Sequence, residues 1–276
     1  MSVWDFTGKR VIISGCFSGM GEAAARELVR LGGEVHGFDF RRSEVPMASF
    51  TEVDLRDPAS IDAAVAKIGG PVDALFNCSG LAPGFPPLDL MKVNFIGLRH
   101  LTEAVLPLMK EGGAITSIAS NGGLGWTQRI PLLMEFIAQP DYASAVAWSE
   151  AHPDIVLEGY GFSKEVVIAW TLLRCYDLIK RGIRINCTLP GPTQTPMMDD
   201  IEKVTPASVL EAAAQPSGRR SLPVEQAYPL IFLGSDAASY ISGLALNVDL
   251  GFLGSVMTGQ IDMRAMMGGM EQGAAA

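Results

Sequence analysis

One stretch decides the fold of this chain: Arg10-Val11-Ile12-Ile13-Ser14-Gly15-Cys16-Phe17-Ser18-Gly19-Met20-Gly21. Its first five residues form an apolar, β-branched run, which predicts a strand buried on both faces. Helical spacing from Glu22 to Leu31, ended by two glycines, predicts a helix after the glycine turn. Such a turn lets a backbone approach a pyrophosphate, and the helix N-terminus supplies free N–H groups and a positive dipole end.

The glycine turn therefore predicts a dinucleotide site. Its G-x-x-x-G-x-G spacing is a variant of the G-x-G-x-x-G fingerprint, and glycine-rich turns without ligands are common. Its position directly after the first strand carries the prediction. The residues expected to contact the cofactor here are Gly15, Phe17, Ser18, Gly19, Met20 and Gly21.

Asp39 ends the second predicted strand, and its carboxylate can accept hydrogen bonds from both ribose hydroxyls while repelling a 2′-phosphate. This favours NAD over NADP. Arg41 and Arg42 follow and could attract a phosphate, or they could form a solvated turn.

Two further strand ends face the same site. Asp54 and Leu55 follow the third strand, where a carboxylate can bond the adenine amino group; a plain turn or a helix cap before Pro58 explains Asp54 equally well. Cys78 and Gly80 end the fourth strand, where a glycine again lets the backbone pass near the cofactor.

Short apolar runs alternate with helical patterns along all 276 residues. This succession predicts the α/β class: a doubly wound parallel sheet of Rossmann type with right-handed crossovers, in a single domain over residues 1–276. The tail, residues 264–276, is expected to be frayed. The predicted strands are Arg10–Ser14, Glu34–Asp39, Thr51–Val53, Val72–Asn77, Ala114–Ala119, Ile183–Leu189 and Ala245–Val248.

The composition excludes several classes of function. A formal charge of −9 does not suit nucleic acid or an anionic membrane. Four widely spaced cysteines and three histidines indicate reduced thiols and no metal site. The N-terminus lacks an apolar signal core, and no apolar run reaches membrane-spanning length, so we expect a cytoplasmic protein.

Tyr160 and Lys164 stand one helical turn apart, so they share a helix face. A cation about 4 Å from the phenol would favour the phenolate by about 4 kcal/mol at an effective dielectric of about 20. That lowers a tyrosine pKa by roughly three units and would suit proton exchange with an alcohol or carbonyl. Taken alone, the pair could also be an ordinary surface i,i+4 pair.

With these elements in this order, over about residues 8–250, the chain resembles the short-chain dehydrogenase/reductase family. Within the family it looks most like bacterial coniferyl-alcohol dehydrogenases and 3α-hydroxysteroid dehydrogenase/carbonyl reductases. Ser14 stands where the family usually has Thr, and Cys78-Ser79 where it has Ala. The matching elements are Ser14–Gly21, Asp39, Asp54, Asn77–Gly80, Asn94, Ser120, Tyr160, Lys164 and Pro190–Thr195.

The resemblance implies a role for each catalytic candidate. Ser120 would hydrogen-bond the reacting oxygen, and Tyr160 would be the acid/base. Lys164 would lower the pKa of that tyrosine and hold the nicotinamide ribose. Asn94 would keep a water-linked proton path at a helix kink, or serve the kink alone. Ser117 is the other candidate serine, but Ser120 follows the strand at its carboxyl end, where ligands bind.

The turn after the sixth strand is implied to contact the nicotinamide amide, although ordinary turn chemistry also explains it. The residues concerned are Pro190, Thr193 and Thr195. The segment that follows, 195–222, is expected either to form a flap that closes over the substrate or to form helices with ordinary core packing. Its apolar candidates are Met197, Met198, Ile201, Val204 and Leu210.

Ser120 and Tyr160 are 40 residues apart, more than in most of the family. The segment 126–159 predicts one or two additional helices before the tyrosine helix. These helices would either roof an apolar substrate pocket or cover a helix face that relatives use for oligomer contacts.

We therefore expect an NAD-dependent oxidoreductase that interconverts an apolar alcohol and its ketone or aldehyde. The resemblance implies a homodimer or homotetramer, and an aromatic alcohol of the coniferyl type or a 3α-hydroxysteroid as substrate. A catalytically silent NAD-binding regulatory or scaffold protein on the same fold is the alternative. An enoyl reductase of related fold has a wider Tyr–Lys spacing than the one here.

Overall fold

A parallel seven-stranded sheet forms the centre of the computed structural model, which describes residues 2–157 and 159–262. The strand order is β3-β2-β1-β4-β5-β6-β7, so the order reverses between β1 and β4. The predicted doubly wound fold is confirmed; the tail 264–276 lies outside the described residues. The strands are β1 (Arg10–Ser14), β2 (Glu34–Asp39), β3 (Ser49–Glu52), β4 (Val72–Asn77), β5 (Met109–Ile118), β6 (Arg184–Pro190) and β7 (Leu244–Val248).

Helices cover both faces of this sheet. Because strand side chains alternate, Val11 and Ile13 pack with helices α1 and α11, whereas Ile12 packs with α2, α4 and α8 on the opposite face. The helices are α1 (Gly19–Arg30), α2 (Pro58–Ala66), α3 (Pro87–Met91), α4 (Gly97–Val105), α5 (Ile130–Ile137), α6 (Tyr142–Ala151), α7 (Pro153–Val156), α8 (Gly159–Ile179), α9 (Pro196–Val204), α10 (Ala207–Ala213), α11 (Pro223–Gly234) and α12 (Phe252–Met257).

The sequence predicts two elements with the wrong bounds. The sequence pattern from about Leu90 to Lys110 predicts one long helix. In the structure a wide π turn, Lys92–Ile96, interrupts it, and it ends in a 3₁₀ turn that contains Pro107. Proline cannot donate an intrahelical hydrogen bond, so the chain leaves the helix here and β5 begins early, at Met109. The third strand lies earlier than predicted: its pairing with β2 starts at Ser49.

The segment 126–159 contains three helices, α5, α6 and α7, rather than one or two. Phe136 of α5 lies at the centre of their contact with the rest of the protein. Its ring centroid is 5.7 Å from Phe95 beside α4, 5.7 Å from Phe162 of α8, and 4.8 Å from Trp148 of α6. The segment therefore buries the outer faces of α4 and α8.

A buried arginine fixes the other side of this segment. The guanidinium of Arg99, on α4, donates to the carbonyls of Ile137, Gln139 and Asp141 at 2.9–3.2 Å. These carbonyls end α5 and begin α6, where helical hydrogen bonds are missing. Arg99 thus replaces the hydrogen bonds that the break between α5 and α6 leaves unmade.

Removal of the Phe136 ring tests how much the aromatic cluster contributes to the free energy of unfolding. We expect Phe136→Ala to lower the free energy of unfolding by about 3–5 kcal/mol, because it leaves a cavity among three aromatic side chains. Ile130→Ala, on the same helix but 41% exposed, should change it by about 0.5 kcal/mol or less. Urea unfolding of both variants measures the difference. Equal losses would show that α5 does not depend on this cluster.

Candidate active site

The turn between β1 and α1 leaves room for an anionic group. Gly15 has φ of +75°, and a Cβ there would overlap the backbone nitrogen of Ser79. A Cβ on Gly21 would overlap the carbonyl oxygen of Gly15. The side chain of Ser18 does not cap α1, so its first N–H groups point outward beside Phe17, Gly19 and Met20. These features fit the pyrophosphate of a dinucleotide.

Asp39 stands at the carboxyl end of β2, next to this turn. Its carboxylate accepts hydrogen bonds from the backbone N–H groups of Phe17 (2.9 Å) and Arg41 (3.0 Å). The Arg41 guanidinium lies 4.2 Å from the centre of the Phe17 ring and stacks on it. Asp39 therefore holds the glycine turn and the β2 end together at the edge where a ribose would lie.

Two residues that were predicted to contact the cofactor, Asp54 and Leu55, have other partners in the structure. Asp54 pairs with the Arg56 guanidinium at 2.8–3.2 Å, and these hydrogen bonds hold the pKa of Asp54 below its ordinary value. An adenine amino group would have to compete with Arg56. Leu55 is buried in the core, and its carbonyl accepts the hydroxyl of Tyr142 at 3.2 Å.

The turns after β4 and β6 meet the glycine turn. The N–H of Cys78 donates to the carbonyl of Ser14 at 3.1 Å, and a Cβ on Gly19 would lie 3.1 Å from Cγ2 of Thr195. Thr193 is buried, and its hydroxyl donates to the carbonyl of Gly191 at 2.9 Å. The fold thus brings most of the predicted cofactor residues to one edge, and Pro190 lines the cavity described below.

Ser120, not Ser117, faces Tyr160. Ser120 follows the carboxyl end of β5; its hydroxyl accepts the N–H of Gly122 at 3.0 Å, and it lines one cavity together with Tyr160. Ser117 lies within β5, where it accepts a hydrogen bond from the amide of Asn77 at 3.2 Å. The side chain of Ser117 is therefore part of the core.

Lys164 is buried next to the Tyr160 ring. Burial raises the pKa of Tyr160, and the hydrogen bond from Ser120 opposes that rise. The Lys164 ammonium donates to the carbonyl of Ile118 at 3.1 Å and lies 5.7 Å from the centre of the tyrosine ring. Its own pKa is lowered to about 8 by burial. That Lys164 lowers the pKa of Tyr160 stays a prediction.

Asn94 lies in the π turn and is completely buried. Its amide donates to the carbonyl of Leu81 and to the hydroxyl of Ser163, both at 3.2 Å, and its oxygen accepts the N–H of Leu81 at 2.7 Å. A Cβ on Gly80 would lie 3.4 Å from that oxygen and 3.7 Å from the Lys164 nitrogen. Asn94 therefore clamps the loop after β4 beside Lys164; its part in a proton path stays a prediction.

Ser120 and Tyr160 open onto a cavity of about 320 Å³. Met197, Met198 and Ile201 of α9 contribute to its wall. Among the residues that the structure describes, none with a formal charge lines this cavity. A larger cavity, about 470 Å³, lies beside α10 and reaches neither hydroxyl. The chemistry of the first cavity suits an uncharged, largely apolar ligand.

Two family models divide the chain between them. The model described as short chain dehydrogenase matches residues 9–131, and the one described as Enoyl-(Acyl carrier protein) reductase matches residues 140–253. The chain belongs to the short-chain dehydrogenase/reductase family. The resemblance that the sequence motifs predicted is confirmed.

Relatives match nearly the whole chain. A coniferyl-alcohol dehydrogenase of Pseudomonas sp. (strain HR199 / DSM 7063) is 29% identical, covering 90% of this chain and 97% of the relative. The 3-alpha-hydroxysteroid dehydrogenase/carbonyl reductase of Comamonas testosteroni is also 29% identical, with 87% and 95% covered. A crystal structure of the 3-alpha-hydroxysteroid dehydrogenase from Pseudomonas sp. B-0831, complexed with NADH, has 28% identity and a TM-score of 0.75, with 90% and 98% covered. This chain is thus a short-chain oxidoreductase with a nicotinamide cofactor.

Several residues of this short-chain oxidoreductase site escaped the sequence analysis. Asn121, directly after Ser120, lines the cavity, and so does Phe252 of α12, which lies beyond the last strand. Phe252 carries no local pattern that signals a pocket residue. Conversely, Val204 does not line the cavity: it is 53% exposed and faces Gly84.

Neither α5, α6 nor α7 roofs the cavity. None of the described residues from 126 to 157 lines it; α9 and α10 supply that wall instead, through residues such as Met198 and Leu210. Together with the aromatic contacts to α4 and α8, this arrangement favours the second interpretation, in which the additional helices cover a helix face. The described residues 126–157 lie behind the site.

The glycine turn gives a direct steric test of the cofactor site. We expect Gly21→Ala to weaken NADH binding by at least about tenfold, roughly 1.4 kcal/mol, because the new Cβ displaces the Gly15 carbonyl. Fluorescence titration measures the affinity, with thermal melting as the check on folding. Gly254→Ala is the control, since no atom lies within 4 Å of its Cβ position. Unchanged NADH affinity in a folded Gly21→Ala variant would place the cofactor elsewhere.

Proposed function

We propose that this chain is an NAD-dependent oxidoreductase that interconverts an apolar alcohol and its ketone or aldehyde. The observation that carries the proposal is that Ser120 and Tyr160 line the same cavity, whose described lining residues carry no formal charge. Lys164 is buried beside that pair, and the glycine turn that fits a pyrophosphate lies at the same sheet edge. A regulatory or scaffold protein has no need for this set of side chains.

Each catalytic side chain has one task in the proposed reaction. NAD, when bound, supplies the hydride acceptor at its nicotinamide ring. Ser120 holds the substrate oxygen by a hydrogen bond, and Tyr160 removes the hydroxyl proton during oxidation or returns it during reduction. Both hydroxyls reach the cavity, so one substrate oxygen can contact both.

Lys164 would act as an anchor for the cofactor. An ammonium group has three donors, and the carbonyl of Ile118 takes one of them. We propose that another reaches the nicotinamide ribose. Asn94 supports this arrangement from behind, because it fixes the loop that carries Gly80 next to the ammonium.

Asp39 supports NAD rather than NADP. Its carboxylate stands at the β2 end and would repel a 2′-phosphate while accepting ribose hydroxyls. We do not expect Arg41 to favour NADP in this geometry, because its guanidinium is stacked on Phe17. We therefore expect the half-buried Asp39 carboxylate to select the cofactor at this edge.

Two substrate classes fit the cavity and the relatives' names: an aromatic alcohol of the coniferyl type and a 3α-hydroxysteroid. Both are flat, apolar and uncharged at the reacting carbon. Met197 and Met198 suit such rings, because unbranched thioether side chains adapt to flat surfaces. Side-by-side NAD reduction with coniferyl alcohol and a 3α-hydroxysteroid chooses between them.

Removal of the phenolic oxygen tests the chemistry. We expect Tyr160→Phe to lower kcat by at least about a hundredfold, because among the described residues that line the cavity Tyr160 alone has a titratable side chain. NADH affinity should stay within about twofold of wild type, since the ring remains. Tyr176→Phe is the control, with a side chain that is 68% exposed.

The assay is NADH formation with a panel of alcohols, and NADH oxidation with the matching ketones and aldehydes. Full turnover by Tyr160→Phe would exclude the proposed acid/base. Cofactor binding by wild type without turnover of any panel compound would favour the regulatory or scaffold alternative.

Replacement of the β2 carboxylate tests the cofactor choice. We expect Asp39→Ser to reduce the preference for NAD over NADP, as the ratio of kcat/KM values, by about tenfold or more, because the repulsion of a 2′-phosphate is removed. Steady-state kinetics with each cofactor measures the ratio. Asp57→Ser, which changes only the cap of α2, is the control. A ratio unmoved by Asp39→Ser would show that another group selects the cofactor.

A further inference from the structure

The turn that carries Ser120 lies directly against the helix that carries Tyr160. Residues Asn121–Gln128 form a 3₁₀ turn that begins at Ser120. Added Cβ atoms would lie 3.3 Å from the Tyr160 ring at Gly122, 2.9 Å from the Lys164 backbone at Gly123, and 2.7 Å from a Glu165 oxygen at Gly125. These glycines let the two backbones approach without side chains between them.

A buried ion pair joins the far end of the same contact. Arg129 follows the 3₁₀ turn, and its Nε and Nη2 donate to Oε2 of Glu165 at 2.9 and 2.8 Å. The Glu165 side chain is only 5% exposed and directly follows Lys164 in the sequence. The pair with Arg129 compensates the hydration that the Glu165 carboxylate loses on burial.

Arg129 is also where α5–α7 meet the catalytic turn. It directly precedes α5, and its guanidinium lies 5.6 Å from the centre of the Phe162 ring. Phe162 in turn packs against Phe136 and Trp148. The packing of the three helices therefore limits the positions that Arg129 can take, although these helices stay out of the cavity.

We infer that Arg129 and Glu165 are positioning residues whose buried ion pair fixes the Ser120 turn against the Tyr160 helix, with α5–α7 as a brace behind the site. Neither residue lines the cavity or touches a reacting group. The two residues affect the reaction by setting the distance between the hydroxyls of Ser120 and Tyr160. The inference rests on the proposed function, because that distance matters only if Ser120 and Tyr160 share a substrate oxygen.

The proposal predicts a pH effect opposite to simple electrostatics. Loss of the negative charge in Glu165→Gln would by itself lower the pKa of Tyr160. Loosening of the Ser120 hydrogen bond, which favours the phenolate, raises that pKa instead. Among the described residues, Lys164 lies beside the tyrosine ring, and Cys78 and Cys187 interact with the lysine; the substitution changes none of these groups.

The experiment compares Glu165→Gln, Arg129→Met and Arg129→Lys with the control Arg99→Met. Arg99 anchors the same three helices from α4 but does not contact the Ser120 turn. We expect kcat for the best panel alcohol to fall about tenfold to a hundredfold in Glu165→Gln and Arg129→Met, as for a misplaced catalytic group, with KM within about twofold. Arg129→Lys, which keeps the charge, should recover part of the loss.

The acid limb of the pH profile for alcohol oxidation should move to higher pH in Glu165→Gln, because a tyrosine of raised pKa loses its proton later. Arg99→Met should lower the melting temperature without moving that limb. A wild-type kcat in both ion-pair variants, or a limb that moves to lower pH in Glu165→Gln, would overturn the proposal. A loss of kcat as large in Arg99→Met would also overturn it, since general loosening would then suffice.

A structural readout separates this proposal from the proposed function. Crystal structures of wild type and Arg129→Met show whether the Ser120–Tyr160 hydrogen bond lengthens, and this needs no turnover. Wild type without activity on the whole panel would refute the function alone. An unchanged hydroxyl pair in Arg129→Met would refute the positioning role alone.

Discussion

The placement of Ser120 beside Tyr160, at the wall of one cavity, is the constraint on which the rest of the site depends. The two hydroxyls come from chain positions 40 residues apart, one after a strand and one on a helix. A hydroxyl–hydroxyl contact tolerates little displacement, so the two backbones must be held closely. Glycines in the turn after Ser120 permit that approach, and the Arg129–Glu165 pair closes its far end.

The electrostatics of the site follow from burial more than from charge pairing. Burial raises the pKa of Tyr160 and lowers that of Lys164 to about 8. The Lys164 ammonium donates a hydrogen bond to the carbonyl of Ile118 at the end of β5. Burial has the largest effect on the pKa of Tyr160 and Ser120 opposes it, so the geometry of the Ser120–Tyr160 pair matters for the proposed acid/base.

The additional helices between the serine and the tyrosine show how an extension can serve a site without entering it. They bury a face of α4 and α8 around Phe136 and take part in no wall of the cavity. Apolar content alone could not separate a roof from a covered helix face, since either use needs the same buried side chains. The contacts of Arg99 with backbone carbonyls and of Arg129 with Glu165 show which face of the protein the additional helices pack against. No local sequence pattern encodes these contacts.

The amino-acid sequence by itself determined the parallel α/β fold, the glycine turn and the same-face spacing of Tyr160 and Lys164. Each depends on short-range regularities: the alternation of strands and helices, backbone freedom at glycine, and the helical repeat. Only the tertiary structure decided that Lys164 turns to Ile118, that Asp54 pairs with Arg56, and that α12 reaches the cavity. Those outcomes are choices among competing partners that are brought together only when distant segments pack, so no local pattern could rank them.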